Sequence, residues 1–63
     1  MQLKAAREKR GWTLEQLADK CGVNKSTISR IERGDTSPMH ETVTALENAL
    51  GLKRGTLEFE AVA

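Results

Sequence analysis

The sequence predicts an all-α fold, a compact bundle of four to five short helices, and three observations carry that expectation. Gly11, Gly22, Gly34 and Gly51 stand where helix C-termini belong and divide the first fifty residues into four segments of helical length. Several segments open on residues that cap helix N-termini. Within the segments, apolar residues recur at spacings of three and four. A chain of 63 residues buries only ~60% of the surface its unfolded form exposes. That favours a tight bundle, a dimer or both, and leaves little material for an enzyme cleft.

The first segment, about Gln2 to Arg10, consists largely of good helix formers, with Leu3, Ala6 and Arg7 on one face. The second opens on Thr13 with Gln16 three residues on, the spacing of a capping box; Trp12 and Leu17 flank it as a hydrophobic staple. A helix from about Leu14 to Cys21 follows, carrying Leu14, Leu17, Ala18 and Cys21 on one stripe. The third opens on Asn24 as N-cap, with Val23 and Ile28 as its staple pair. In it Ile28 and Ile31 face inward, leaving Lys25, Ser26, Thr27, Ser29, Arg30 and Arg33 on the other faces. The fourth is expected to use Ser37 as cap and Pro38 as its first residue, with Met39, Val43, Leu46 and Leu50 on the inward stripe.

From Thr56 the period changes. Leu57, Phe59 and Ala61 alternate with Glu58 and Glu60, a strand pattern. A lone strand lacks a partner in a helical monomer, so the tail either pairs with its copy in a dimer or is a short helix. The expected organisation is therefore a helical domain over 1–55 and a C-terminal dimerisation tail over 56–63, with Leu57 and Phe59 at the dimer interface. The alternative is that a further domain follows residue 63.

Charge is unevenly placed. Residues 1–34 carry eight Lys/Arg against four Asp/Glu, +4, and residues 35–63 carry two against five, −3. Such asymmetry suggests a basic working face and an acidic remainder. The single cysteine, Cys21, cannot form an internal disulfide and reads as a reduced core thiol in a cytoplasmic protein. One cysteine and one histidine, His40, fall short of a structural zinc site, and no cofactor is expected. There is no apolar run long enough to span a bilayer and no apolar signal core at the N-terminus, so no membrane partner is expected. Trp12 is explained by its staple position better than by stacking on a base, and His40 by the surface of the fourth helix. Ser26 and Ser29 lack the sequence context of a nucleophile. No enzymatic constellation is present.

Segments two and three are joined only by Gly22 and Val23 before the next cap, so two short helices must cross steeply, as in a helix-turn-helix. The second of them exposes Lys, Arg and hydroxyl side chains, the types that reach base edges and phosphates. The stretch WTLEQLADKCGVNKSTISRIERGDTSP resembles the helix-turn-helix family of phage lambda repressor and Cro, also called Xre. Leu17, Ala18, Gly22, Val23, Ile28, Ile31, Glu32, Gly34 and Pro38 stand at pattern positions, and the likeness runs from about Leu3 to Leu52.

The resemblance implies that the helix spanning 24–33 enters the major groove of double-stranded DNA, with Lys25, Ser26 and Arg30 as base-contacting residues. It implies Asn24, Thr27 and Arg33 as backbone-contacting residues, and Arg7 with Glu32 as a structural ion pair. Two residues depart from the pattern. Leu14 stands where many members carry Gln near the start of the second helix, and Asp35 opens a loop that is often basic; both weaken backbone anchoring. The expected function is a dimeric transcriptional regulator, a repressor, reading a palindromic operator as a homodimer. The alternative is an antitoxin-type module that binds a toxin protein and represses its own operon.

Overall fold

The computed structural model describes residues 1–59. Among them are four helices: α1 (Leu3–Lys9), α2 (Leu14–Cys21), α3 (Lys25–Arg33) and α4 (His40–Leu50). No strand occurs among the described residues. The core gathers Leu3, Ala6, Leu17, Ile28, Ile31, Leu46, Leu50 and Leu57. It lies where α2 packs on α3 and α4, and α1 closes it from the side of α3.

Local chemistry explains where α2 and α3 begin and end. The Thr13 hydroxyl accepts from the Gln16 amide at 3.1 Å, and the Gln16 side-chain oxygen accepts from the Thr13 amide at 2.8 Å. That reciprocal pair satisfies two donors that the first turn leaves unpaired. Trp12, just before the cap, packs against the core that Leu17 fills. At its far end α2 stops at Gly22, whose φ of +74° is a region that side chains with a Cβ rarely adopt. Only Val23 then separates that stop from the Asn24 cap of α3, so the two helices are forced to turn sharply.

Helix α4 begins later than its sequence suggests. Met39, not Ser37, is the N-cap, with ψ at 157° and no side-chain cap hydrogen bond, and the first helical residue is His40. Pro38 is therefore not the first helical residue. Proline fixes φ alone, and the extended ψ of Met39 carries the chain one step further before it coils. Met39 consequently leaves the apolar stripe and is 68% exposed. The stripe that is buried runs through Leu46, Glu47 and Leu50, with Val43 half-buried.

Glu47 was not expected inside. It is 3% exposed, and its carboxylate accepts the Leu57 amide at 3.1 Å while its backbone carbonyl accepts the Leu52 amide at 2.8 Å. A buried carboxylate is tolerated where it is hydrogen-bonded, and here it ties the tail to α4.

The tail also finds a partner that local periodicity does not reveal. The Met1 amino nitrogen donates to the Thr56 carbonyl at 3.0 Å, and the Glu58 amide donates to the Met1 carbonyl at 3.0 Å. These two bonds, flanking Leu57, have the form of a parallel ladder rung. The described part of the tail, which bends at Leu57, is thus hydrogen-bonded to the start of its own chain. Leu57 is 6% exposed and belongs to the core, so the tail expected to begin at residue 56 packs on the helical domain at its second residue. Phe59 is half-buried against the same core. Glu60 and Ala61, the rest of the alternating pattern, lie outside the described residues.

Candidate nucleic-acid interface

Helix α3 is held by a thin inner stripe and leaves the rest of its surface free. Ile28 and Ile31 are buried at 0% and 5% exposure. Beside them Glu32 makes a two-point contact with α1. Arg7 Nε donates to Glu32 Oε2 at 2.8 Å, and Arg7 Nη2 donates to Glu32 Oε1 at 3.2 Å. The third nitrogen, Nη1, donates to the Trp12 carbonyl at 2.7 Å. The structure thus brings together Arg7 and Glu32 and adds a link, to the loop before α2, that spacing in the sequence does not show. With side chains 12% and 7% exposed, the pair is poorly screened. The hydrogen bonds that Arg7 donates to Glu32, more than the charge of Glu32 alone, hold the Arg7 pKa above its ordinary value against the opposing effect of burial.

The opposite side of α3 carries the candidate contacts. Lys25, Ser26, Ser29, Arg30 and Arg33 line one shallow groove together with Leu14 from the start of α2. Lys25, Ser26, Arg30 and Arg33 are exposed, and Thr27 and Ser29 are half-buried. Three of the four exposed residues are cationic, and the fourth is a hydroxyl able to donate or accept. Ser29, absent from the expected contact set, shares the groove because it lies three residues from Ser26, one helical turn along the same face.

Asn24 sits at the N-terminal lip of this surface. Its side-chain oxygen accepts the Ser26 amide at 2.8 Å. The cap therefore fixes the amide group with its NH2, a double donor, on an exposed residue. No acidic residue occupies the first turn of α3, so the positive end of the helix dipole is uncompensated by side chains there.

Leu14 is half-buried at the edge of the groove. It supplies a hydrophobic wall to the groove. At the other end, Arg33 Nε lies 3.2 Å from Asp35 Oδ2, with side chains 62% and 59% exposed. Trp12 presents its ring to Lys20, whose Nζ lies 4.8 Å from the centroid. Cys21 is half-buried against the core. Among the described residues no group of His, Cys, Asp and Glu is placed to hold a metal ion, and no helix is long and apolar enough to cross a membrane.

The chain resembles known regulators over most of its length. It is 44% identical over 54 residues to uncharacterised HTH-type transcriptional regulators of Mycobacterium tuberculosis and Mycobacterium bovis, an overlap covering 86% of this chain and 21% of each relative. It is 37% identical over 54 residues to the HTH-type transcriptional regulator SutR of Escherichia coli, covering 86% of this chain and 30% of that protein. The chain therefore spans about a fifth to a third of the curated relatives it matches. No solved structure gives a significant match. A family model described as helix-turn-helix matches residues 3–57, the span that contains all four helices and ends on the buried Leu57. On that match and on the turn between α2 and α3, the chain belongs to the Xre-type helix-turn-helix family.

Proposed function

We propose that this chain binds double-stranded DNA by laying α3 in the major groove and acts as a cytoplasmic transcriptional regulator, a repressor, in dimeric form. The observation that carries the reading is the division of α3 into two sides. Ile28, Ile31 and Glu32 fix it to the bundle, while Lys25, Ser26, Arg30 and Arg33 share one outward groove. The relatives' names as transcriptional regulators support the same reading.

In this reading Arg30 forks onto guanine O6 and N7, Lys25 donates to guanine, and Ser26 contacts an adjacent base. Asn24, through its NH2, joins Thr27 and Arg33 on phosphate oxygens. One such surface touches few base pairs, and each correct pair discriminates by only ~1–3 kcal/mol. Two copies related by a two-fold axis read a palindrome with half-sites ~34–36 Å apart. Leu57 is committed to the core, so the tail's contribution to a dimer falls to Phe59.

The test is selection of bound duplexes from a random library at ~150 mM salt. Enrichment of a palindrome with one-turn spacing supports dimeric, sequence-specific recognition, and enrichment of a lone half-site supports a monomeric reader. No enrichment refutes the proposal and turns attention to a protein partner such as a toxin. Within the enriched site, Arg30→Ala is expected to relax preference at one base pair per half-site. Arg33→Ala weakens all duplexes alike. An Arg30→Ala variant with an unchanged preference profile would remove the base-reading role.

A further inference from the structure

We propose that Asp35 is a built-in competitor for phosphate, which holds Arg33 when DNA is absent and sets the electrostatic affinity of the interface. The inference rests on the DNA-binding reading of α3.

The Asp35 side chain is aimed by the helix it follows. Gly34, at φ +79°, turns the chain back, and the Asp35 amide donates to the Arg30 carbonyl at 2.9 Å while the Gly34 amide donates to the Ile31 carbonyl at 3.1 Å. These two bonds form a Schellman closure. They fix the Asp35 backbone two residues past the end of α3, and from there its carboxylate meets Arg33 Nε at 3.2 Å. Arg33 is also a wall of the groove that holds Lys25 and Arg30. A carboxylate at the C-terminal end of a helix opposes the helix dipole, and Arg33 is the charge that compensates it.

A guanidinium offers the same paired donors to a carboxylate and to a phosphate. Asp35 meets Arg33 at the Nε edge, so a phosphate that takes that edge displaces the carboxylate, and one taken through the Nη groups is bound with the Asp35 charge beside the DNA backbone. The Arg33–Asp35 pair is neutral, so it displaces fewer condensed cations from DNA than a free arginine does. The contact is thus weakened on every duplex alike: each phosphate gained by Arg33 is gained against the Asp35 charge.

The experiment measures Kd by fluorescence anisotropy for the whole chain, for Asp35→Asn, for Arg33→Ala and for the double variant. The probes are a labelled duplex of mixed sequence and any duplex enriched by selection, at ~50 to ~300 mM salt. Asn retains the amide that closes on Arg30, and thermal unfolding confirms that the variants fold. Asp35→Asn is expected to tighten binding to both duplexes about two- to fivefold, the range carried by exposed ion pairs. It steepens the slope of log K against log salt by ~0.9, one further phosphate neutralised. In the Arg33→Ala background the same change gives a clearly smaller gain. An equal gain in both backgrounds overturns the proposal, because Asp35 then acts by general repulsion and not by holding Arg33. An unchanged Kd for Asp35→Asn, with the unaltered chain binding normally, overturns it as well and leaves the DNA reading standing. Failure of both the unaltered chain and Asp35→Asn to bind any duplex at ~50 mM salt overturns the DNA reading itself and this inference with it.

Discussion

Replacing Arg7 by alanine removes three hydrogen bonds at once, two to Glu32 and one to the Trp12 carbonyl. The greater cost lies in what stays behind. Glu32, with a side chain only 7% exposed, becomes a nearly buried carboxylate without its cation. Breaking a buried pair from one side costs ~3–5 kcal/mol, and the 12% exposure of Arg7 places this one near ~3 kcal/mol. A domain of this length has ~3–9 kcal/mol of total stability, so the loss is a third of it or all of it. With a urea dependence of ~1 kcal/mol per molar, the unfolding midpoint falls by ~3 M or the chain is unfolded without urea. Trp12 is the single tryptophan and lies at the contact, so its fluorescence reports the transition directly, with far-ultraviolet circular dichroism as a second probe. The joint replacement Arg7→Met with Glu32→Leu is the decisive companion. Removing both charges removes the desolvation burden too, so the pair of changes is expected to cost less than Arg7→Ala alone. An Arg7→Ala loss below ~1 kcal/mol would refute the reasoning, since that is the behaviour of a surface pair. So would a double variant that loses the sum of its two single losses.

Three further outcomes follow from the geometry. Glu47→Ala strands the buried Leu57 amide and is expected to cost ~1–3 kcal/mol, whereas Glu47→Gln keeps an acceptor and costs less; equal losses in a denaturation series would show that the hydrogen bond is immaterial. At Gly22, φ is +74° and an added Cβ meets nothing within 4 Å, so Gly22→Ala is purely a backbone effect of ~1 kcal/mol, read as a lowered melting temperature. Phe59→Asp is expected to leave the fold intact and give monomers with weakened operator binding; sedimentation showing an unchanged dimer would remove Phe59 from the interface.

The parts of the fold legible in the sequence are those written in contiguous residues. The Thr13–Gln16 box and the Asn24 cap act over two or three positions, so the bounds of α2 and α3 follow from their own letters. The start of α4 is different, because the Ser37–Pro38 signal competes with the extended backbone of Met39 and loses. Glu47 was invisible for another reason. Val43, Leu46, Glu47 and Leu50 have the spacing of one buried stripe, but a charge at the third position reads as solvent until its partner, an amide ten residues on, is known. The pairing of Met1 with Thr56 and Glu58 joins the two ends of the described chain, and no local pattern encodes it. Arg33–Asp35 is only two residues apart and still escaped notice, since the turn at Gly34 decides whether those side chains meet.

The same division explains how so small a domain can devote a helix to a partner. Nine residues of α3 do not form a stable helix alone, and its outward side chains add almost nothing to its stability. Its order comes from both ends and from beneath: the Asn24 cap, the Gly34 closure, two isoleucines and one carboxylate held by α1. Of these groups only Asn24 borders the groove side. Lys25, Ser26, Ser29 and Arg30 therefore carry no part of the core, and substitutions there act on what is bound with little effect on folding. Arg33 stands at the boundary, facing the groove and tied to the closing turn through Asp35. That position lets a change in the loop alter the strength of binding while the base-reading residues stay as they are.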